Sequence, residues 1–162
     1  MIFFDFDGVI TNNKVYTTQD EKEIVVCDRS DSLGLSWLKE AGVPMSILST
    51  ETNPVVQARA HKLGLDVVGG CKDKYEFIIQ YLKENNLDSN QIIFVGNDLN
   101  DQRAMEHSGF SVAPRDAHPQ IKKIASLVLN RDGGDGAIRE LCEFILAKAE
   151  AMSTGKAQAE KS

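Results

Sequence analysis

Short apolar runs alternate with longer amphipathic stretches along almost the whole chain. The apolar runs predict strands at Ile2–Asp5, Val43–Ser49, Leu65–Val68, Ile92–Val95, Ser111–Ala113 and Leu127–Leu129. Helical spacing of the apolar residues predicts helices near Asp31–Glu40, Pro54–Leu63, Lys72–Asn85, Asp101–His107 and His118–Ala125. A last one runs from Gly136 to about Glu150. The strands are continuously apolar rather than alternating, which suits a parallel sheet covered on both faces. Each helical stretch is long enough to be the crossover of a right-handed βαβ unit. The expected fold is therefore α/β: a doubly wound, Rossmann-like parallel sheet in a three-layer α/β/α domain.

Two segments break the rhythm. Val15–Thr18 and Glu23–Val26 are β-rich and flank the polar stretch Gln19-Asp20-Glu21-Lys22, which predicts a hairpin inserted at about residues 14–27. Beyond Ala147 the composition turns to Ala, Lys, Glu, Ser and Gly. The domain is accordingly placed at residues 1–150, with 151–162 a disordered tail.

Composition narrows the function classes. A chain of 162 residues suits one domain. The net charge of −6 argues against nucleic acid or an anionic membrane as the main partner. A phosphorylated small molecule stays compatible if a metal and a few cations gather locally. Cys27, Cys71 and Cys142 are odd in number and form no CxxC or Cys/His pair, which fits a reduced cytoplasmic setting. No apolar run approaches the roughly 20 residues of a membrane span, and no charged leader precedes the first strand. That strand begins at Met1 itself, so the chain is either complete or a piece cut from a longer protein.

The candidate chemistry lies at the strand ends. In "MIFFDFDGVITNN" the first strand runs into Asp5-Phe6-Asp7-Gly8, and alternation places the two carboxylates on the same side of the extended chain. Such a pair either holds a cation or shared proton, or simply forms an Asx-type turn. In an open parallel sheet, ligands bind outside the carboxyl ends of the strands. The second strand ends there in Ser49, Thr50 and Glu51, and the fourth in Gly96, Asn97, Asp98 and Asp101. Lys74 opens the helix after the third strand. Individually, Ser49 or Asp98 could cap a helix and Lys74 could be a solvated charge. Their convergence on one edge points to chemistry.

Hard oxygen ligands without His or Cys suit Mg2+. A metal-bound carboxylate can attack phosphorus and form an aspartyl-phosphate. A second carboxylate can protonate the leaving alcohol and then deprotonate water. Ser49 and Lys74 would hold the phosphoryl oxygens.

With "DFDGVIT", "SILST", Lys74 and "GNDLND" in order, the sequence resembles the haloacid dehalogenase-like phosphatase superfamily. More narrowly it is similar to the capless branch acting on 3-deoxy-octulosonate 8-phosphate and on nonulosonate (sialic acid-type) 9-phosphates. "DGVITNNKVY", "RSDSLGLSW", "VAPRDAHPQIKKIA" and "GGDGAIRELCEFIL" carry that narrower likeness. The branch also occurs fused behind acylneuraminate cytidylyltransferases.

The resemblance implies that Asp5 is nucleophile and metal ligand, and that Asp7 is acid/base and lends its carbonyl to the metal. Ser49 and Lys74 would bind the phosphoryl group, Asn97 and Asp98 would complete the metal site, and Asp101 and Gly96 would support it. Many members carry Asp where this chain has Asn97, which removes one negative charge from the metal site; Asn also occurs in sialic acid-linked members. Glu51, Arg59 and Lys62 resemble the nonulosonate 9-phosphate type, with Thr50 beside them, and Arg59 and Lys62 share one helix face. The alternatives are an octulosonate 8-phosphate phosphatase, or a weakly active oligomerising domain of a cytidylyltransferase. The branch also implies a homotetramer built on the hairpin, with Gly133–Glu140 near a neighbour's site and Arg139 contacting substrate.

Overall fold

The computed structural model describes residues 1–159. Its strands are β1 (Ile2–Phe4), β2 (Thr11–Thr17), β3 (Glu23–Cys27), β4 (Met45–Leu48), β5 (Asp66–Val68), β6 (Ile93–Val95), β7 (Phe110–Ala113) and β8 (Leu127–Val128). Its helices are α1 (Ser30–Glu40), α2 (Pro54–Leu63), α3 (Lys74–Asn85), α4 (Gln102–Glu106), α5 (Pro119–Ile124) and α6 (Ala137–Ala159). Local chemistry sets several of these boundaries. The Asn53 side chain accepts from Val55 N to start α2, with Pro54 in the first turn, and Gly64 ends that helix in the left-handed region at φ 65°. Asp73 caps α3 by accepting from Tyr75 N and Glu76 N.

Six strands form one sheet in the order β5-β4-β1-β6-β7-β8, with parallel pairing throughout. The doubly wound expectation holds. Successive residues of β1 feed opposite cores. Ile2 and Phe4 pack with Leu35 and Leu38 of α1, Val56 of α2 and Leu141 of α6. Phe3 packs with Ile78 of α3, Met105 of α4 and Ile121 of α5. Helices therefore cover both faces, which is why these strands are apolar without alternation.

The chain leaves β1 toward β4 and β5, then returns to β6 on the other flank of β1. Strand order reverses there, at the position where doubly wound sheets place their ligands.

The hairpin β2–β3 stands apart as a two-stranded sheet. Its first strand begins at Thr11, four residues before the Val15 start expected for that strand, with the pairing passing through an irregularity between Thr11 and Val15. The final helix is described as far as Ala159, nine residues into the segment expected as a tail, in a stretch whose Ala, Met and Lys are good helix formers. Residues 160–162 lie outside the described residues. Among the described residues, no helix is long and apolar enough to cross a membrane.

Candidate active site

Asp5 follows directly on β1, and its N–H still pairs with Val95 O at 2.9 Å. Its carboxylate is thus held at the carboxyl edge of the sheet, 5% exposed. Oδ1 accepts from Phe6 N at 2.7 Å and lies 2.6 Å from Lys74 Nζ. Lys74, at the first turn of α3, is buried, which excludes the solvated-charge alternative. Its Nζ is also 2.6 Å from Oδ1 of Asp101, a fully buried side chain.

This ion cluster carries one cation between two anions. Burial, followed by the Asp101 charge, pushes Asp5 up to about 7 against the opposing pull of Lys74. Burial alone would lower the Lys74 pKa, but Asp5 and Asp101 outweigh it and hold the ammonium above its ordinary range.

Asp101 has a second task. Its Oδ2 accepts from Asn97 N at 2.9 Å and from Asp98 N at 3.3 Å, shaping the loop after β6. Gly96 is required for this approach: a Cβ there would lie 2.6 Å from Asp101 Cβ. Gly8, at φ 78°, serves the facing loop, since its Cβ would fall 2.0 Å from Asn97 Nδ2. Gly96 therefore lets the loop after β6 close on its own Asp101, and Gly8 lets the loop after β1 meet it.

Between those loops is a small cavity of about 120 Å³, lined by Asp5, Asp7, Asn13, Thr50, Asn97, Asp98 and Asn100. Asn97 Oδ1 is buried there without a hydrogen-bond partner. A buried acceptor with nothing to accept from suits a bound cation. Among the described residues, no three His, Cys, Asp or Glu side chains form a metal-ready cluster. The reason is visible: Asp101 is committed to Lys74 and two backbone N–H groups, and Asn97 contributes an amide. Asp98 is exposed and also caps the short turn at Leu99–Asp101, accepting from Leu99 N at 2.7 Å.

Asp7 is half-buried and its pKa is raised, chiefly by burial, with Glu51 and Glu23 adding repulsion. The Thr11 hydroxyl lies 3.4 Å from Asp7 Oδ1 and opposes that shift. Buried Ser49 accepts from Glu51 N at 3.0 Å, and Thr50 rather than Ser49 lines the cavity.

The remaining predicted residues lie elsewhere. Glu51 Oε1 accepts from Thr52 N and Asn53 N at 2.7 and 2.8 Å, steadying the turn into α2. Arg59 and Lys62 share a groove of about 630 Å³ with Arg29, Cys27 and Val25; Glu51 does not line it. Arg59 donates through Nη2 to Asp28 O at 2.9 Å, and its Nε has no partner. Arg139 pairs with Glu143 at 2.7 Å and lies over the Trp37 ring at 4.1 Å, outside the Asp5 cavity of its own chain. Gly133 and Gly134 pack on their own chain's loop. A Cβ on Gly133 would meet Gly8 O at 2.0 Å, and Gly134 N donates to Val9 O at 3.1 Å.

The site residues missed in the sequence are Asn13 and Asn100, which line the cavity, and Thr11. The spacing of Thr11 within "DGVIT" was a usable signal. Nothing local marked the two asparagines.

Carboxylates and a buried lysine at the switch point of a doubly wound sheet, with an unpartnered amide oxygen beside them, define a hydrolase of the phosphoester-cleaving type. The chain belongs to the haloacid dehalogenase-like hydrolases, whose sequence profile matches residues 47–141. It is 29% identical over 147 residues to the 3-deoxy-D-manno-octulosonate 8-phosphate phosphatase of Yersinia pestis, covering 90% of this chain and 79% of that one. It is 28% identical over 150 residues to N-acylneuraminate cytidylyltransferase A of Danio rerio, covering 90% of this chain and 34% of that much longer one. Among solved structures, the 3-deoxy-D-manno-octulosonate 8-phosphate phosphatase of Moraxella catarrhalis, in complex with magnesium, phosphate and KDO, superposes with a TM-score of 0.88. That pair is 25% identical, over 97% of this chain and 91% of that one.

Proposed function

We propose that this hydrolase is a Mg2+-dependent phosphatase of sugar-acid phosphates that works through an aspartyl-phosphate on Asp5. The observation that carries the reading is the pairing, in one cavity, of the Lys74-bound Asp5 carboxylate with the unpartnered Asn97 Oδ1. Asp5 Oδ1 is engaged by Lys74 and Phe6 N, which leaves Oδ2 to attack phosphorus. As the phosphorus–oxygen ester bond breaks, Asp7 gives its proton to the leaving alcohol. Its raised pKa favours the protonated form that this step needs. Asp7 then takes a proton from water, which attacks the aspartyl-phosphate and frees phosphate. Lys74 offsets the charge on Asp5, and Ser49 with Thr50 stands beside the phosphoryl oxygens. The Asp5 carboxylate, the Asp7 carbonyl, Asn97 Oδ1 and Asp98 would hold Mg2+. When bound, the cation neutralises phosphoryl charge and favours ionised Asp5.

For the substrate, nonulosonate 9-phosphates are the preferred reading, supported by kinship to an acylneuraminate cytidylyltransferase. Arg59 and Lys62 line a groove apart from the Asp5 cavity of their own chain and from Glu51, so their replacement tests the reading and does not support it. Octulosonate 8-phosphate is the second reading, favoured by the named activities of the relatives in Yersinia and Moraxella. Phosphate release from both substrates, with and without Mg2+, tests the reading. A higher kcat/KM on the 9-phosphate is expected, narrowed when Glu51, Arg59 and Lys62 are replaced together. No release from either substrate would overturn it. Assembly as a cytoplasmic homotetramer completes the proposal, supported by the exposed apolar side chains of the hairpin.

A further inference from the structure

The first strand of the hairpin is entered through a residue in an uncommon conformation. Asn13 has φ 60°, in the left-handed region that side-chain-bearing residues seldom occupy. Its N–H donates to Thr11 Oγ1 at 3.2 Å. That hydroxyl is fully buried; it also accepts from Gly8 N at 3.2 Å and lies 3.4 Å from Asp7 Oδ1. One oxygen thus ties together the Asp-x-Asp-Gly turn, the Asp7 carboxylate and the backbone of Asn13.

The conformation alone does not call for asparagine. Glycine and asparagine both enter this region readily, so the turn by itself accepts either. Asparagine adds a carboxamide, which donates and accepts. Among the described residues that carboxamide has no hydrogen-bond partner, while Asn13 lines the same cavity as Asp5, Asp7 and Asn97. The side chain is therefore available at the site and used by nothing within the chain.

Its place relative to Asp7 says what it meets. The phosphoryl group must sit against Asp5 and Lys74, and Asp7 must face the ester oxygen of the leaving alcohol. Asn13 is anchored through Thr11 on Asp7's side, so it borders the alcohol rather than the phosphoryl group. We propose that Asn13 is a specificity residue whose carboxamide binds a hydroxyl of the leaving alcohol, selecting polyhydroxylated phosphoesters over aryl or alkyl ones. The assignment rests on the phosphatase reading of this site.

Asn13→Gly keeps the left-handed backbone and removes the carboxamide, so kinetics on two substrates separate the roles. The measurement compares kcat/KM for p-nitrophenyl phosphate and for whichever of the nonulosonate 9-phosphate and 3-deoxy-octulosonate 8-phosphate the unaltered enzyme turns over better, in the unaltered enzyme and the variant. The expected result is a loss of about tenfold or more on the sugar-acid phosphate and less than about twofold on p-nitrophenyl phosphate, the effect of losing one well-placed hydrogen bond. An equal loss on both would reduce Asn13 to a turn residue and overturn the assignment, as would no loss on either. Failure of the unaltered enzyme to hydrolyse both would overturn the phosphatase reading itself, and the assignment with it.

Discussion

Lys74 Nζ lies 2.6 Å from Asp101 Oδ1, as close as it lies to Asp5 Oδ1, and all three side chains are buried. Asp101 thereby holds the lysine with one oxygen and the Asn97–Asp98 backbone with the other. A single carboxylate joins the cationic and the metal-facing halves of the site. Removing one member of a buried ionic cluster typically costs about 3–5 kcal/mol. We expect Asp101→Ala to lose about 3 kcal/mol in urea unfolding and to lower kcat at least about tenfold. A variant with native stability would show that the cluster is not structural.

Asp5→Asn removes the nucleophile and one of two anions facing Lys74. It should abolish phosphate release while leaving the far-ultraviolet circular dichroism unchanged, because the like-charge repulsion with Asp101 is relieved. Asp7→Asn should lower kcat by roughly 10²–10⁴-fold, the usual worth of a positioned proton donor. Substantial turnover by Asp5→Asn would eliminate the aspartyl-phosphate route.

Asn97→Asp places an anion where an amide oxygen now lies buried and unpartnered. The Mg2+ concentration for half-maximal activity should fall. An unchanged Mg2+ dependence would assign the metal to Asp98 without Asn97.

Asp31 supplies a test of stability against pH. It is 1% exposed, its Oδ1 accepts from Arg139 N at 2.9 Å, and its Oδ2 has no partner. Burial pushes its pKa up from 3.8 to about 6, with Asp28 and Asp135 adding repulsion. A raised carboxyl favours folding fully below 3.8, and that contribution is lost as pH rises through about 6. Asp31→Asn keeps the acceptor without the charge. It should be more stable than the parent by about 1–2 kcal/mol at pH 8, with the difference vanishing near pH 4. Thermal unfolding across that range checks the sign, and a variant less stable at pH 8 would refute it.

Val15, Tyr16, Ile24 and Val26 of the hairpin are 50, 61, 54 and 41% exposed. Tyr16→Lys with Ile24→Lys should convert a tetramer to smaller species in multi-angle light scattering. A monomeric parent protein would remove the basis for that assembly.

Much of this protein was legible from local pattern. The six sheet strands, the order of helices and the edge where Asp5, Asp7, Asn97 and Asp98 gather all follow from apolar periodicity and from the habit of parallel sheets to bind ligands at their carboxyl ends. These are short-range properties, carried by neighbouring residues. The end of α6 is not legible in the sequence, because a composition of Ala, Lys and Gln suits both a solvated coil and a helix.

What tertiary structure alone decided are contacts between residues far apart in the chain. Lys74 meets Asp101 across 27 positions, and Asp31 meets Arg139 N across 108. Sequence could nominate Lys74, but whether it was a solvated charge or a buried cation depended on α3 docking beside β1. Likewise Arg59 and Lys62 could be placed on one helix face, yet only packing turned that face toward Val25 and Cys27 and away from Glu51. Charge, burial and hydrogen-bond partners are properties of the space a side chain enters, and that space is built by other segments of the chain.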